Sequence, residues 1–141
     1  MSEQEHLAVA ANKKSIQYAM EGNREGWLGL YSDDAVVQDP VGVSGMDPSG
    51  EGHRGKEAIA AFFDATIAPS TLEIVADKRW TSGDYCCCVA QKAHNTIGES
   101  QVVICDMLAL YEVNEEGKIT RMAAHWDYDA LMQQFVEVAG S

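Results

Sequence analysis

The chain has 141 residues and a formal net charge of −12, from 22 acidic and 10 basic side chains. This length predicts one domain over residues 1–141, and the acidity argues against nucleic acid and anionic membranes as partners, because both would repel the chain. No apolar run approaches the roughly 20 residues that cross a bilayer. Since the polar start MSEQEH lacks the apolar region of a signal peptide, we expect a soluble, cytoplasmic protein.

Helices are predicted in the first part of the chain. Residues 5–21 contain few helix breakers and carry an apolar stripe, and Gly22 can end this helix in a left-handed conformation. Asn23 can cap a second, shorter helix, which would carry Trp27 and Tyr31 into the core before a turn at residues 32–34.

The stretch from Tyr31 to Gly42, YSDDAVVQDPVG, places an acid at the end of a short strand. Its apolar centre predicts the strand, and Pro40 biases Asp39 toward an extended conformation. Asp39 then has two interpretations. Its side chain could form an Asx turn with its own backbone, or it could be a catalytic carboxylate where ordered sheet meets loop.

A glycine-rich segment, residues 41–54, predicts a long loop. At its end, His53 and Arg54 are interpreted as solvated loop residues, with an anion site at the start of the next helix as the alternative. That third helix begins at Gly55 and ends before Pro69.

The second half alternates apolar and polar residues, which is typical of strands. Strands are predicted near 72–76, 85–93, 101–113 and 118–126, with turns at 82–84, 95–100 and 114–117, and a short helix or tail at 128–138. The contiguous cysteines 86–88 are interpreted as small buried hydrophobes. Helices followed by an antiparallel meander predict an α+β domain in which one curved sheet wraps three helices.

Asp106 stands out within the third of these strands, VVICDMLALY. Strand parity puts it on the same face as Ile104 and Leu108. If this face is buried, the acid is either paired or protonated, and a protonated acid can donate a hydrogen bond. Two acids in different environments suit proton transfer next to a carbonyl, whereas the alternative is a core-side acid satisfied by a backbone amide or by Arg121.

Three segments in order resemble the bacterial ketosteroid isomerases of the nuclear-transport-factor-2-like, or cystatin-like, superfamily. They are YSDDAVVQDPVG, GKEAIAAFF and VVICDMLALYEVNEEGKITRM. The resemblance implies a conical α+β fold, three N-terminal helices packed in a curved, mostly antiparallel sheet, and a homodimer formed through the outer sheet face. It also implies the cofactor-free and metal-free isomerisation of a 3-oxo-steroid or similar hydrophobic ketone.

Carried over position by position, the resemblance implies that Asp39 is the general base and Asp106 the protonated oxyanion donor. The tyrosine that donates to the oxyanion in this family falls on Ser15, and Tyr18, about 60° further around the helix, is the nearest substitute. A supporting tyrosine falls on Phe63. We therefore expect weak or altered activity.

The expected ligand is a small, hydrophobic, steroid-like ketone, because a mostly apolar pocket selects such molecules. The expected pocket residues are aromatic or sulfur-containing: Tyr31, Phe62, Phe63, Trp80, Met107, Met122 and Trp126. Two alternatives stay open. One is a polyketide-cyclase-like or hydrolase-like enzyme that uses His94, His125 or Arg121, and the other is a non-catalytic hydrophobic-ligand-binding module.

Overall fold

A computed structural model describes residues 5–98 and 101–139. Its helices are α1 (Leu7–Glu21), α2 (Arg24–Leu28), α3 (Gly55–Phe62), which continues as a π-helical turn over Phe63–Ile67, and α4 (Tyr128–Ala139). Its strands are β1 (Tyr31–Gln38), β2 (His53–Arg54), β3 (Leu72–Ser82), β4 (Cys86–Ile97), β5 (Gln101–Val113) and β6 (Ile119–His125). No helix among these residues is long and apolar enough to cross a membrane.

The six strands form one sheet in the order β2-β1-β6-β5-β4-β3. Neighbouring strands run antiparallel, except for β1 and β6, which are parallel. The pairing is irregular between β3 and β4 and between β5 and β6, and such bulges add local twist to a sheet. The helices pack against the curved sheet, which confirms the predicted α+β cone with its three N-terminal helices.

Local sequence signals account for several boundaries. Gly22 ends α1 at φ 68°, a left-handed conformation that glycine adopts without steric cost. The Asn23 side chain accepts a hydrogen bond of 2.9 Å from the Gly26 amide and so caps α2. Asn114 and Gly117 close the hairpin between β5 and β6.

Three expectations need correction. Tyr31 begins β1 instead of ending the second helix, and residues 32–34 lie within the strand, because α2 stops at Leu28 and Tyr31 pairs with Ile119 of β6. His53 and Arg54 form β2 beside β1 instead of a solvated loop. The turn expected at 95–100 begins later, because β4 extends to Ile97, and residues 99–100 lie outside the described part of the chain.

An aromatic cluster lies beneath the helices. Trp27 contacts Tyr31, with ring centroids 4.8 Å apart, and Phe63, at 5.3 Å. All three rings are buried. This packing fixes α2, β1 and the end of α3 relative to one another, and therefore fixes one wall of the space between the helices and the sheet.

Candidate active site

A cavity of about 460 Å³ lies between the helices and the sheet, within the range of small-molecule sites. Its wall is mostly apolar. The lining residues from α1 and α2 are Ser15, Ile16, Ala19 and Trp27, and those on the strands or directly after a strand are Asp39, Leu72, Ile74, Gln91, Ala93, Asn95, Ile97, Cys105, Met107, Tyr111, Met122 and Trp126. The remainder of the wall comes from Met46, the end of the third helix, and α4.

Asp39 directly follows β1 and faces this cavity. The Trp126 indole N–H donates a hydrogen bond to its Oδ1. The carboxylate therefore bonds a side chain at the end of the neighbouring strand β6 and not its own backbone, so the Asx-turn interpretation is wrong. Two residues further on, the Val41 N–H donates a hydrogen bond of 2.9 Å to the Ala124 carbonyl, which ties the segment after Asp39 to β6.

The surroundings of Asp39 favour its neutral form. Burial raises its pKa from 3.8 to about 6, and the Trp126 hydrogen bond opposes part of that rise. Among the described residues, no Lys, Arg or His side chain lines the cavity, so no cation compensates the charge. A carboxyl group with a pKa near 6 is ionised at neutral pH, yet is a much stronger base than an exposed aspartate.

Hydroxyl and amide groups lie along the wall shared by α1, β4 and β5. The Ser15 Oγ and the Tyr111 hydroxyl are 3.5 Å apart, and both side chains are buried. Behind them, Asn12 is fully buried, accepts a 2.8 Å hydrogen bond from Arg79 Nε and donates one of 3.4 Å to Gln91 Oε1. The structure thus places Ser15 in the cavity wall and adds Tyr111, a phenol that the sequence analysis did not select.

Burial raises the pKa of Tyr111, and the Asp39 carboxylate raises it further, whereas hydrogen bonds from Ser15 and Asn12 lower it. Burial also raises the pKa of Tyr31 well above its ordinary value. Its hydroxyl has no hydrogen-bond partner in residues 5–98 and 101–139, although Ser15 is near enough to lower the Tyr31 pKa. Both phenols are therefore neutral at physiological pH.

Three of the predicted site residues lie in the core instead of the cavity wall. Tyr31 and Phe63 are buried against Trp27. Tyr18 is half-buried and packs against the same core, so it does not reach the cavity as a substitute for Ser15. The 60° displacement around α1 explains this, because side chains on a helix keep to the face that their position dictates.

Asp106 lies outside the cavity, so the expectation of a buried, protonated donor on β5 is wrong. Its side chain is 74% exposed and lies 3.7 Å from Lys92 Nζ. The strand faces are the reverse of those expected: Cys105, Met107 and Tyr111 face the cavity, and Val102, Ile104 and Leu108 face outward. In the described part of the chain, Asp39 is the one carboxylate that lines the cavity.

Of the expected apolar lining, Phe62, Met107, Met122 and Trp126 are in the cavity wall. Trp80 is not. It is 46% exposed on the outer face of β3, with Lys78 Nζ 5.0 Å from its ring centroid. Its partner Cys88 lies on the same outer face, because the inward positions on β4 are odd-numbered.

The groups required by the hydrolase-like alternative also lie on the outer face. Arg121 donates two hydrogen bonds to Gln38 Oε1, at 3.1 and 3.2 Å, and lies 3.7 Å from Glu112. His94 pairs with Ile104, and His125 pairs with Leu108, both on outward positions of β5. None of the three lines the cavity with Asp39.

Sequence reasoning also missed the cover of the cavity. Met46 reaches it from the loop between β1 and β2, and α4 contributes Leu131, Met132 and Phe135. Helix α4 lies beside the half of β5 that β6 does not reach, where the Gln134 side chain bonds the backbone N–H and C=O of Ile104 at 2.8 and 2.7 Å. The available signal was the spacing of Leu131, Met132 and Phe135, because residues one, three and four positions apart share one face of a helix.

Comparison with known proteins gives one family. The profile of the SnoaL-like domain matches residues 13–122. A search of curated proteins finds no match to the chain.

Three solved structures illustrate the likeness. The Δ5-3-ketosteroid isomerase from Mycobacterium sp. is 34% identical, with a TM-score of 0.83, covering 89% of this chain and 97% of that one. RV0760c from Mycobacterium tuberculosis, in complex with estradiol-17β-hemisuccinate, is 32% identical with a TM-score of 0.82. The match covers 89% of this chain and 97% of RV0760c. A computationally designed 17-OHP binder is 31% identical, with a TM-score of 0.83, and the match covers 89% of this chain and 96% of the binder.

Proposed function

This chain belongs to the SnoaL-like domain family as a ketosteroid-isomerase-like member of the nuclear-transport-factor-2-like superfamily, and we propose that it isomerises a flat, hydrophobic, steroid-like ketone with Asp39 as the base. Asp39 takes a proton from the carbon next to the ketone. The electrons of that C–H bond form an enolate. Asp39 then returns the proton to a carbon further along the conjugated system, so that no group is gained or lost.

The observation that carries this proposal is the environment of Asp39. A single carboxylate, with its pKa raised to about 6, faces an otherwise mostly apolar cavity whose described wall holds no cationic side chain. Such a group is ionised at neutral pH and basic enough to take a proton from an activated carbon, and a pKa near the working pH is what general-base catalysis requires.

The cavity also supports the choice of ligand. Its few polar lining groups, which include Asp39, Tyr111, Ser70 and Asn95, are outnumbered by apolar side chains. Two of the similar structures are described by their steroid ligands, estradiol-17β-hemisuccinate and 17-OHP. A neutral, rigid ligand with an oxygen at one end fits this distribution of polar and apolar groups.

Steady-state kinetics with a 5-ene-3-oxo-steroid tests the proposal, because the conjugated product absorbs strongly in the ultraviolet. We expect Asp39→Asn to lower kcat by at least about 1,000-fold, since it removes the base but keeps the shape of the side chain. Asp106→Asn is the matched control. It makes the same chemical change on the outer face of the sheet and should leave kcat unchanged.

A second candidate function is the binding of a hydrophobic ligand without turnover. The position of Asp106 on the outer face favours it, because the cavity wall formed by residues 5–98 and 101–139 holds no second acid that could donate a hydrogen bond to an enolate. Isothermal titration with steroids decides between the two. Suppose that wild type and Asp39→Asn both bind steroids with micromolar affinity, and that neither isomerises any of several conjugatable ketones. This result would support a binding module and remove the isomerase proposal.

We also propose that the chain forms a homodimer through the outer face of β3, β4 and β5. Val102, Ile104 and Leu108 are 40–47% exposed on β5, and Trp80 is 46% exposed on the same face of β3. The same face also carries charged side chains such as Lys92 and Asp106, and protein interfaces combine exposed apolar groups of this kind with polar ones. Sedimentation velocity at micromolar concentration should give the mass of two chains.

A further inference from the structure

The proposed isomerisation places negative charge on the ketone oxygen, and the described cavity wall holds few groups able to stabilise it. Ser15 has a short side chain, and Asp106 is on the other face of the sheet. The Trp126 indole is already bonded to Asp39. An enolate left without a hydrogen-bond donor in an apolar cavity would be costly, so a donor must come from elsewhere in the wall.

Tyr111 is placed to be that donor. It lies on an inward position of β5, is 2% exposed and lines the same cavity as Asp39. Its hydroxyl is 3.5 Å from Ser15 Oγ, a long and therefore weak contact. The phenol is thus located where strand β5 meets α1, beside Ser15, the helix position at which a tyrosine is absent.

The groups around Tyr111 leave its proton available. Asn12 is fully buried and fixed by the 2.8 Å bond from Arg79. Either hydroxyl can donate in the 3.5 Å contact between Ser15 Oγ and Tyr111, so the O–H of Tyr111 is free to donate into the cavity when Ser15 is the donor. Burial raises the pKa of Tyr111, so the phenol keeps its proton.

We propose that Tyr111, held by Ser15 and Asn12, binds the oxygen of the ligand and donates the hydrogen bond that stabilises its enolate, so that the donor comes from β5 instead of α1. The role of Tyr111 in stabilising the enolate rests on the proposed isomerase function. Its role in binding the ligand does not, because any ligand with a phenol or phenolate oxygen should accept a hydrogen bond from the same donor. Tyr111 would be the group that touches the reacting molecule, and Ser15 and Asn12 are positioning residues.

The first experiment compares three single variants in the isomerisation of a 5-ene-3-oxo-steroid. Tyr111→Phe removes one hydroxyl and keeps the ring. We expect kcat to fall about 100- to 1,000-fold with little change in KM, because the bond strengthens as charge develops. Ser15→Ala should cost only about 2- to 10-fold, in line with the loss of a weak positioning bond.

Tyr31→Phe is the matched control. Tyr31 is another buried tyrosine, yet it packs against Trp27 and does not line the cavity. It should therefore leave kcat within about 3-fold of wild type, allowing for small packing effects. A loss of activity in Tyr31→Phe with full activity in Tyr111→Phe would overturn the proposal and make Tyr31 the donor.

The second experiment does not depend on turnover, so that the two proposals can fail separately. Substituted 2-naphthols of increasing acidity are bound to wild type and to Tyr111→Phe by fluorescence titration. In wild type, affinity should rise with the acidity of the naphthol, because a more anionic oxygen accepts a stronger hydrogen bond. In Tyr111→Phe that dependence should flatten. An unchanged dependence would overturn the role of Tyr111, whether or not the wild type isomerises ketones.

The third measurement uses the unmodified chain and covers the case in which Tyr111→Phe does not fold. Tyrosines labelled with ¹³C at Cζ report their hydrogen bonding by NMR. Binding of 2-naphthol should shift the Tyr111 signal and leave the Tyr18 signal in place, since Tyr18 does not line the cavity. A saturating ligand that leaves the Tyr111 signal unmoved would refute the proposal.

Discussion

Replacing Asp39 by Asn should stabilise the folded protein, and by more at higher pH. In the folded chain the pKa of Asp39 is raised from 3.8 to about 6 by burial. Each pKa unit corresponds to about 1.4 kcal/mol, so the difference corresponds to about 3 kcal/mol. This is an upper value, because the carboxylate faces a cavity that water can enter.

The sign of the stability change depends on whether the folded or the unfolded chain keeps the Asp39 proton to the higher pH. Below pH 3.8 the group is protonated whether the chain is folded or unfolded, so it contributes no difference. Between pH 4 and 6 the unfolded chain releases the proton first, and the free energy of unfolding falls as pH rises. Once the pH is about one unit above the folded pKa, the group is ionised in both states and the loss is constant. An asparagine cannot ionise, so Asp39→Asn should match wild type near pH 3.5 and exceed it by up to about 3 kcal/mol at pH 7.

Urea unfolding of both proteins at one concentration, in half-unit steps from pH 3.5 to 8, measures this difference. Other groups with altered pKa values, such as Asp64 bonded to Arg24, contribute equally to both proteins and cancel. Asp106→Asn is the control: its exposed side chain should give a difference that is small at every pH. If the advantage of Asp39→Asn were absent, or shrank as pH rises, Asp39 would be stabilised as an anion and the argument for a strengthened base would be wrong.

Three further predictions concern other parts of the molecule. Trp126→Phe removes the donor that lowers the Asp39 pKa, so the rising limb of kcat/KM against pH should move to higher pH. Leu108→Asp should convert a dimer to a monomer in sedimentation velocity, whereas Val43→Asp, in an exposed loop, should not. Gln134→Ala should speed amide exchange across α4 about tenfold, because two hydrogen bonds to Ile104 are lost, while exposed Gln133→Ala should not.

Features that depend on local chemistry could be predicted from the sequence. Gly22 and the Asn114–Gly117 hairpin end their elements for reasons that lie within a few residues, namely a left-handed conformation and a tight turn. For Asp39, the strand and the following proline predicted its place at a strand end but left an Asx turn and a catalytic carboxylate both open. Its interpretation as the base, and the choice of Ser15 by a count back from Asp39, came from the resemblance to the ketosteroid isomerases.

The assignment of Asp106 failed for a physical reason. Alternation along a strand says which residues share a face, but not which face is inward, and both faces of β5 are apolar here. One check within the sequence was available. Asp106 and Met107 are neighbours on one strand and point to opposite sides, so both could not line the cavity. Tyr111 shares the face of Met107 and would have been selected with it.

The hydrogen-bonded network behind the cavity wall could not be predicted, because its members meet only in three dimensions. Asn12 on α1, Arg79 on β3 and Gln91 on β4 form one hydrogen-bonded chain, although up to 79 positions separate them in sequence. None has a distinctive local pattern. A buried amide is recognisable as such only once its neighbours are known, because its hydrogen bonds are what make burial tolerable.

The two sides of the cavity differ in the elements that build them, and this separates chemistry from ligand choice. Asp39 and Tyr111 lie on or directly after strands of the sheet, where pairing on both sides restricts movement. The cover comes from a loop and from α4, which has no fully buried residue and is tied to β5 through Gln134. These covering segments meet where Gly45 packs against the Tyr128 hydroxyl.

Sulfur and hydrocarbon side chains form that cover: Met46, Leu131, Met132 and Phe135. Methionine adapts its shape to the groups it packs against, so such a cover can accommodate ligands of different outline without moving the base. Substitutions in the cover should therefore change KM and the preference among steroids more than kcat, whereas substitutions at Asp39 or Tyr111 should do the reverse. The sheet would then determine which reaction occurs, and the loop with α4 would determine which molecule undergoes it.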